Sequence, residues 1–201
     1  FADKNGFNHI FAQVRGRGDA YYNSEIVPKS HLVNFNFDPL DYLIKSNTSK
    51  NIKIHAWINI YYLWSSKFAP SQKDHLIFRK PEWLDREENE IYIKEKTFLE
   101  DKKHLKIDGE GFYLAPTNPM VNQYLISVID ELSRKYSLDG IHYDYIRFHN
   151  SNYGYNEVGL LHYKKNNINK YYKNNEVLFS EFKRNSITEF VKEASEKIKS
   201  N

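Results

Sequence analysis

The stretch "PTNPMVNQYLISVIDELSRKYSLDGIHYDYIRF", residues 116–148, constrains the fold more than any other part of the chain. Asn118 is placed to cap a helix with Pro119 at its first position. Val121, Tyr124, Leu125, Val128, Ile129 and Leu132 then recur as one apolar stripe. Within a few residues "LDGIHYDYIRF" takes up the alternation of a strand. The same pairing occurs upstream. "FNHIFAQVR" (7–15) alternates as a strand, with Ile10 and Ala12 facing one way and Phe11, Gln13 and Arg15 the other. "FDPLDYLIKSNTSK" (37–50) reads as a helix capped by Asp38 with Pro39 in its first turn, and "NIKIHAWINIYY" (51–62) as a second buried strand. "SEFKRNSITEFVKEASEKIKSN" (180–201) closes the chain as an amphipathic helix.

Strand and helix in alternation predict an α/β fold with a parallel sheet. An open doubly wound sheet and a (β/α)8 TIM barrel both satisfy that pattern. No Gly-rich phosphate turn follows a strand, which counts against the nucleotide-binding doubly wound class. Polar residues fall late in each strand or just beyond it: Arg15 and Asp19, Trp57 and Asn59, Asp144 and Arg147. In a barrel those strand ends form the catalytic face. A whole barrel takes about 250 residues, so three strands within residues 1–201 read as part of one. Residues 64–112 carry Pro70, Pro81 and many charges without a sustained period, and read as an irregular insertion with short elements. "KKNNINKYYKNN" (164–175) is low in complexity and reads as a solvated loop or helix edge.

Net charge is only +3, from 29 basic and 26 acidic residues, which gives no electrostatic case for nucleic acid or an anionic membrane. No apolar run reaches the ~20 residues that span a bilayer. Cysteine is absent, which excludes disulfides and thiol chemistry. The chain starts at Phe1 and its single methionine is Met120, so it reads as a processed chain or a fragment.

His142 and Asp144 share a face of the third strand, while Tyr143 and Tyr145 point the other way. A carboxylate at a strand end can act as nucleophile, as general base, or as stabiliser of a cationic intermediate. His142 and Arg147 beside it can hydrogen-bond sugar hydroxyls; the bland alternative is an Asp144–Arg147 ion pair. Asp139 reads as the end of a tight turn. His55, Trp57 and Asn59 line one face of "HAWIN", with an indole suited to stacking under a pyranose. Arg15 and Asp19 flank a Gly-rich loop whose "RGD" tripeptide is short enough to recur by chance. Neither HxH nor HExxH is present, so no metal or cofactor is assigned, although His55, His142 and Asp144 could meet in space.

Taken in order, "FNHIFAQVRGRGDAYYNSE", "FDPLDYLI", "KIHAWINIYY", "KPEWL", "FYLAPTNPMVNQYLISVIDEL" and "LDGIHYDYIRF" resemble the glycosyl-hydrolase-like 10 family over roughly residues 5–150. The resemblance implies a TIM-barrel glycosidase relative, with these strands as the second to fourth. It implies a polysaccharide substrate, in some members peptidoglycan glycan strands stripped of peptide, and hence export to the periplasm, as a lipoprotein, or to the cell surface. Asp139, His142 and Asp144 also match the fourth-strand motif of the wider α-amylase-like clan, where the last of the three is catalytic. Gly16 replaces a usual proline and Ala115 a usual asparagine. On this reading Asp144 is catalytic, and Arg15, Asp19, His55, Trp57, Asn59, His142 and Arg147 bind substrate. The second carboxylate of such chemistry would follow a fifth strand; Asp19 is the internal candidate. A non-catalytic carbohydrate-binding or degenerate barrel and a metal-dependent hydrolase are the alternatives.

Overall fold

A computed structural model of the chain describes residues 1–49, 51–90, 105, 109–166 and 175–201. Its elements are, in order, β1 (His9–Arg15), α1 (Pro39–Ser46), β2 (Lys53–Asn59), β3 (Tyr62–Trp64), α2 (Leu76–Arg79), β4 (Phe112–Tyr113), α3 (Pro119–Lys135), β5 (Gly140–Asp144), α4 (Glu157–Asn166) and α5 (Asn175–Lys199). β1, β2 and β5 form one parallel sheet in chain order, and β3 and β4 a small antiparallel pair. The α/β class with a parallel sheet is therefore as the sequence predicts.

Strand alternation sorts the parallel sheet into two unlike faces. Ala12, Ala56 and Ile141 align across the three strands, with Ile54 and Ile58 above and below Ala56 on the same side. These residues belong to the core, together with Leu40 of α1, the stripe of α3, and Phe190 and Ala194 of α5. Five apolar side chains of α3 are buried (Val121, Leu125, Val128, Ile129 and Leu132), each contributing about 1.5–3 kcal/mol. Exposed ion pairs such as Lys45–Asp41 are screened by solvent and add little beside this. Burial of the helical stripes on one sheet face is what holds the fold.

Both predicted caps form. Asn118 Oδ1 accepts from the Met120 N–H at 3.0 Å. Asp38 Oδ1 accepts from Leu40 and Asp41 at 3.1 and 3.0 Å, and its Oδ2 accepts from the Asn23 N–H and the Tyr136 hydroxyl at 3.0 and 2.6 Å. One carboxylate thus ties the start of α1 to the loop after β1 and to the end of α3. α1 stops at Ser46, short of the predicted helix, and α5 starts at Asn175, before the predicted Ser180. α4 has no signature in the sequence pattern, because "EVGLLHYKKN" carries no one-sided stripe. Of the irregular stretch, residues 91–104 and 106–108 lie outside the described residues, as do 167–174 of the low-complexity stretch. No helix among the described residues is long and apolar enough to cross a membrane.

Partial burial raises the Asp38 pKa, but the Tyr136 hydroxyl and the N–H groups of Asp41, Asn23 and Leu40 outweigh it and hold the carboxyl below its ordinary 3.8. Its contribution to stability is complete above that ordinary value and is lost as pH falls through the lower folded value. Asp38→Ala is expected to cost about 1–2 kcal/mol at neutral pH, read from urea midpoints. The gap to wild type should close in strong acid.

Candidate active site

The second sheet face carries the polar and aromatic residues, in steps fixed by the register. Phe11, His55 and Gly140 form the lowest row, Gln13, Trp57 and His142 the next, and Asn59 and Asp144 meet at the C-terminal ends of β2 and β5. Phe11 stacks on His55 at 4.8 Å and meets His142 edge-on at 5.3 Å; Trp57 meets His142 at 6.1 Å. Gly140 leaves room for the His55 ring, since a Cβ there would lie 2.7 Å from His55 Nδ1. His55 Nε2 lies 2.7 Å from His9 Nδ1. Burial, then the charge of His9, holds the His55 pKa below its ordinary value. None of the helices packed on the opposite face covers these rows, and Phe11 stays 51% exposed.

Asn59 is buried, and both ends of its amide are engaged. Its Oδ1 accepts from Trp57 Nε1 at 3.1 Å and Gln13 Nε2 at 3.5 Å, and its Nδ2 donates to the Gly16 carbonyl at 2.8 Å. Arg15 does not join Gln13 on the open face as strict alternation predicts. A bulge between Gln13 and Arg15 turns it inward. It is 1% exposed and donates through Nη1 to the carbonyls of Asn59 and Ile60. Asp19 is likewise enclosed, accepting from the Arg17 N–H at 3.3 Å. Its loop is pinned by His75 Nε2 against the Arg17 carbonyl at 2.8 Å, with the Arg17 guanidinium over Trp64 at 4.6 Å. Arg15 and Asp19 therefore shape the site from behind its surface.

β5 ends at Asp144, and the alternation ends with it. Asp144 Oδ1 accepts from the Tyr145 N–H at 2.7 Å, and Tyr145 is the one non-glycine residue with positive φ among those described, at 49°. That turn sets the Tyr145 ring on Tyr62 at 4.4 Å. Arg147 follows, its guanidinium 5.2 Å from the Tyr145 ring and 5.4 Å from Tyr113. It pairs not with Asp144 but with Glu110 Oε2, at 2.7 Å. The Tyr113 hydroxyl also donates to Glu110 Oε2, and the Tyr62 hydroxyl to the Glu110 carbonyl at 3.0 Å. The Tyr113 hydroxyl, then Arg147, holds the Glu110 carboxyl below its ordinary value. Sequence reasoning missed Glu110, Tyr62 and Tyr113, which lie in or beside the aperiodic stretch. The available signal was "DGEGF", an acid between two glycines.

His142, Trp57, Asn59 and Asp144 thus come together on the open face. His55 lies one row below Trp57, Arg147 stands on the rim, and Arg15 and Asp19 are enclosed. A cavity of about 300 Å³ lined by Thr117, Asn122, His162, Phe182 and Glu189 opens between α3, α4 and α5 and holds none of these residues.

A family model described as Glycosyl hydrolase-like 10 matches residues 1–201. Glycosyl hydrolase DigH of Escherichia coli (strain K12) is 26% identical over 145 residues, which is 69% of this chain and 30% of that protein. Glycosyl hydrolase YngK of Bacillus subtilis (strain 168) is 23% identical over 149 residues, 70% of this chain and 25% of that protein. The chain spans less than a third of the length of these relatives. In fold it is similar to the crystal structure of a hypothetical protein from Ruminiclostridium thermocellum ATCC 27405, with a TM-score of 0.60 at 20% identity over 98% of this chain and 81% of that one.

Gly111 has φ 116°, and a Cβ there would lie 2.2 Å from the Trp64 carbonyl oxygen. Gly111→Ala is expected to destabilise by at least about 1 kcal/mol in thermal unfolding and to displace Glu110. Gly16→Ala, whose added Cβ would find its nearest neighbour at 3.6 Å, should be close to neutral.

Proposed function

The chain belongs to the glycosyl hydrolase-like 10 family, and on that basis we propose that it carries the catalytic face of a glycoside hydrolase acting on a bacterial cell-envelope polysaccharide, the glycan strands of peptidoglycan. The observation that carries this reading is the row pairing Asn59 with Asp144. It sets a carboxylate at the end of a parallel strand, one step above Trp57 and an exposed His142. Asp144 is the catalytic carboxylate, acting at the anomeric carbon as nucleophile, or on water as base, while the glycosidic C–O bond breaks and a second carboxyl group, expected after a fifth strand, gives its proton to the leaving oxygen. Trp57 and His142 form the floor on which the sugar rests, and Asn59 fixes the Trp57 indole through its N–H. Arg15 acts at one remove, by holding the carbonyls at the end of β2, and Asp19 shapes the loop beside it. His55 supports the floor from below, and Arg147 borders the cleft.

We also read the sheet as a sector of a (β/α)8 barrel. Strand order follows chain order, the core-forming helices α1, α3 and α5 pack on one face, and the other face is aromatic. In a barrel that aromatic face is the interior, and Asp144 stands at the mouth where catalytic residues collect. Further strands would cover Phe11 and the two outer strand edges. A peptidoglycan substrate lies outside the cytoplasm, so export goes with this reading.

The test is to incubate the full-length protein with peptide-free glycan strands and resolve the products by mass spectrometry. Wild type is expected to shorten the strands. Asp144→Asn should lower turnover by about 10²-fold or more, while still retaining strands in a pull-down. Strands retained but never cut by wild type would make this a carbohydrate-binding barrel instead. Activity lost to chelation would move the chemistry to a metal.

A further inference from the structure

We propose that Glu110, Arg147 and the Tyr62–Tyr145 pair form a subsite for a neutral N-acetylated pyranose on the rim beside Asp144; this rests on the glycosidase reading above. The argument begins with how Glu110 is presented. It sits in a turn between Gly109 at φ 53° and Gly111 at φ 116°. Its backbone is held as well as its side chain: the Glu110 N–H meets His149 Nε2 at 3.3 Å, and its carbonyl accepts the Tyr62 hydroxyl at 3.0 Å. Three separate segments, β3, β4 and the loop after β5, converge on one acid. That acid is nonetheless solvent-facing: the Glu110 and Arg147 side chains are 53% and 45% exposed.

Glu110 Oε1 accepts from none of the described residues, so a fixed acceptor and a fixed guanidinium stand side by side above partly buried rings. Adjacent hydroxyl or amide groups of a pyranose suit such a donor–acceptor pair, and its C–H groups suit the tyrosine edges, since the Tyr145 ring already stacks on Tyr62 and carries the Arg147 guanidinium. Charge then narrows the ligand. Arg147 is already neutralised by Glu110, so a ligand carboxylate would face the glutamate and a ligand ammonium the arginine. Peptide-free glycan strands alternate neutral N-acetylglucosamine with a sugar that bears a lactyl carboxylate. The subsite takes the neutral ring. Its connection to Asp144 is direct along the chain, since Tyr145 both donates to the Asp144 carboxylate and stacks on Tyr62.

The test uses the full-length protein with Asp144→Asn, so that the ligand is bound but not cut, and titrates it by calorimetry. The probes are the N-acetylglucosamine tetramer, its de-N-acetylated cationic form and an oligogalacturonate of equal length. The neutral tetramer should bind most tightly, and Glu110→Gln or Tyr145→Ala should weaken it about tenfold or more. Glu110→Gln keeps size and shape, and its unfolding curve shows whether the fold is intact. Equal affinity in both variants, or tighter binding of either charged probe, overturns the subsite. So does a Glu110→Gln enzyme, with Asp144 intact, that loses kcat by about 10²-fold at unchanged KM, because that marks a catalytic group. Binding without cleavage by wild type would sink the glycosidase reading and leave the subsite standing. Cleavage unaffected in KM by either variant would do the reverse.

Discussion

The register between β2 and β5 is the constraint on which the site depends. Asp139, just before β5, fixes it with two bonds to one residue: its Oδ2 accepts from the Ile54 N–H at 2.8 Å, and its own N–H donates to the Ile54 carbonyl at 2.9 Å. At the other end the Ile60 N–H donates to the Asp144 carbonyl at 2.8 Å. A slip of one residue would exchange the two faces of β5, driving His142 and Asp144 into the helical core and Ile141 and Tyr143 into solvent. Neither outcome is tolerable, because an unpaired carboxylate is far costlier to bury than an apolar side chain is to expose. Asp139 is thus more than the turn residue that its place before Gly140 suggests. It locks the alignment that sets Asp144 opposite Asn59.

Much of this was legible because it follows from local rules. The caps at Asp38 and Asn118 announce their helices by residue type alone, and alternation puts His142 with Asp144 and His55 with Trp57 and Asn59. What could not be read are the places where alternation stops. The bulge in β1 leaves no mark in "AQVRG", yet it moves Arg15 from the open face to the interior. β5 ends at Asp144 because Tyr145 adopts a left-handed backbone, which nothing about a tyrosine foretells. Glu110 was hidden for another reason. Tyr113 is a near neighbour, but Tyr62 and Arg147 lie 48 and 37 residues away, and only the folded chain brings these two to it.

The enclosed Asp85 belongs with these. It follows "KPEWL" and accepts from the N–H groups of Arg86 and Gly154 at 3.0 and 3.1 Å, joining the loop after β5 to the body. Burial pushes its carboxyl up to about 8. Lys183 of α5 holds the same loop through the carbonyls of Ser151 and Tyr153, both at 2.9 Å. The loop that carries Arg147 and His149 is therefore anchored at its far end, and the rim geometry inherits that rigidity.

Stability does not account for the rim. An exposed pair such as Glu110–Arg147 contributes about 0–1 kcal/mol, and holding Tyr145 in the left-handed region costs about 1–3 kcal/mol. A chain selected only to fold would continue β5 or turn through glycine at that point. The cost is explained if the turn sets what Asp144 and the tyrosines face. Extending the strand would separate Tyr145 from Tyr62 and break the connection from the Asp144 carboxylate to the Glu110 turn. The strained residue is the one that joins the deep row of the open face to its rim, and a ligand spanning both would feel any change there at once.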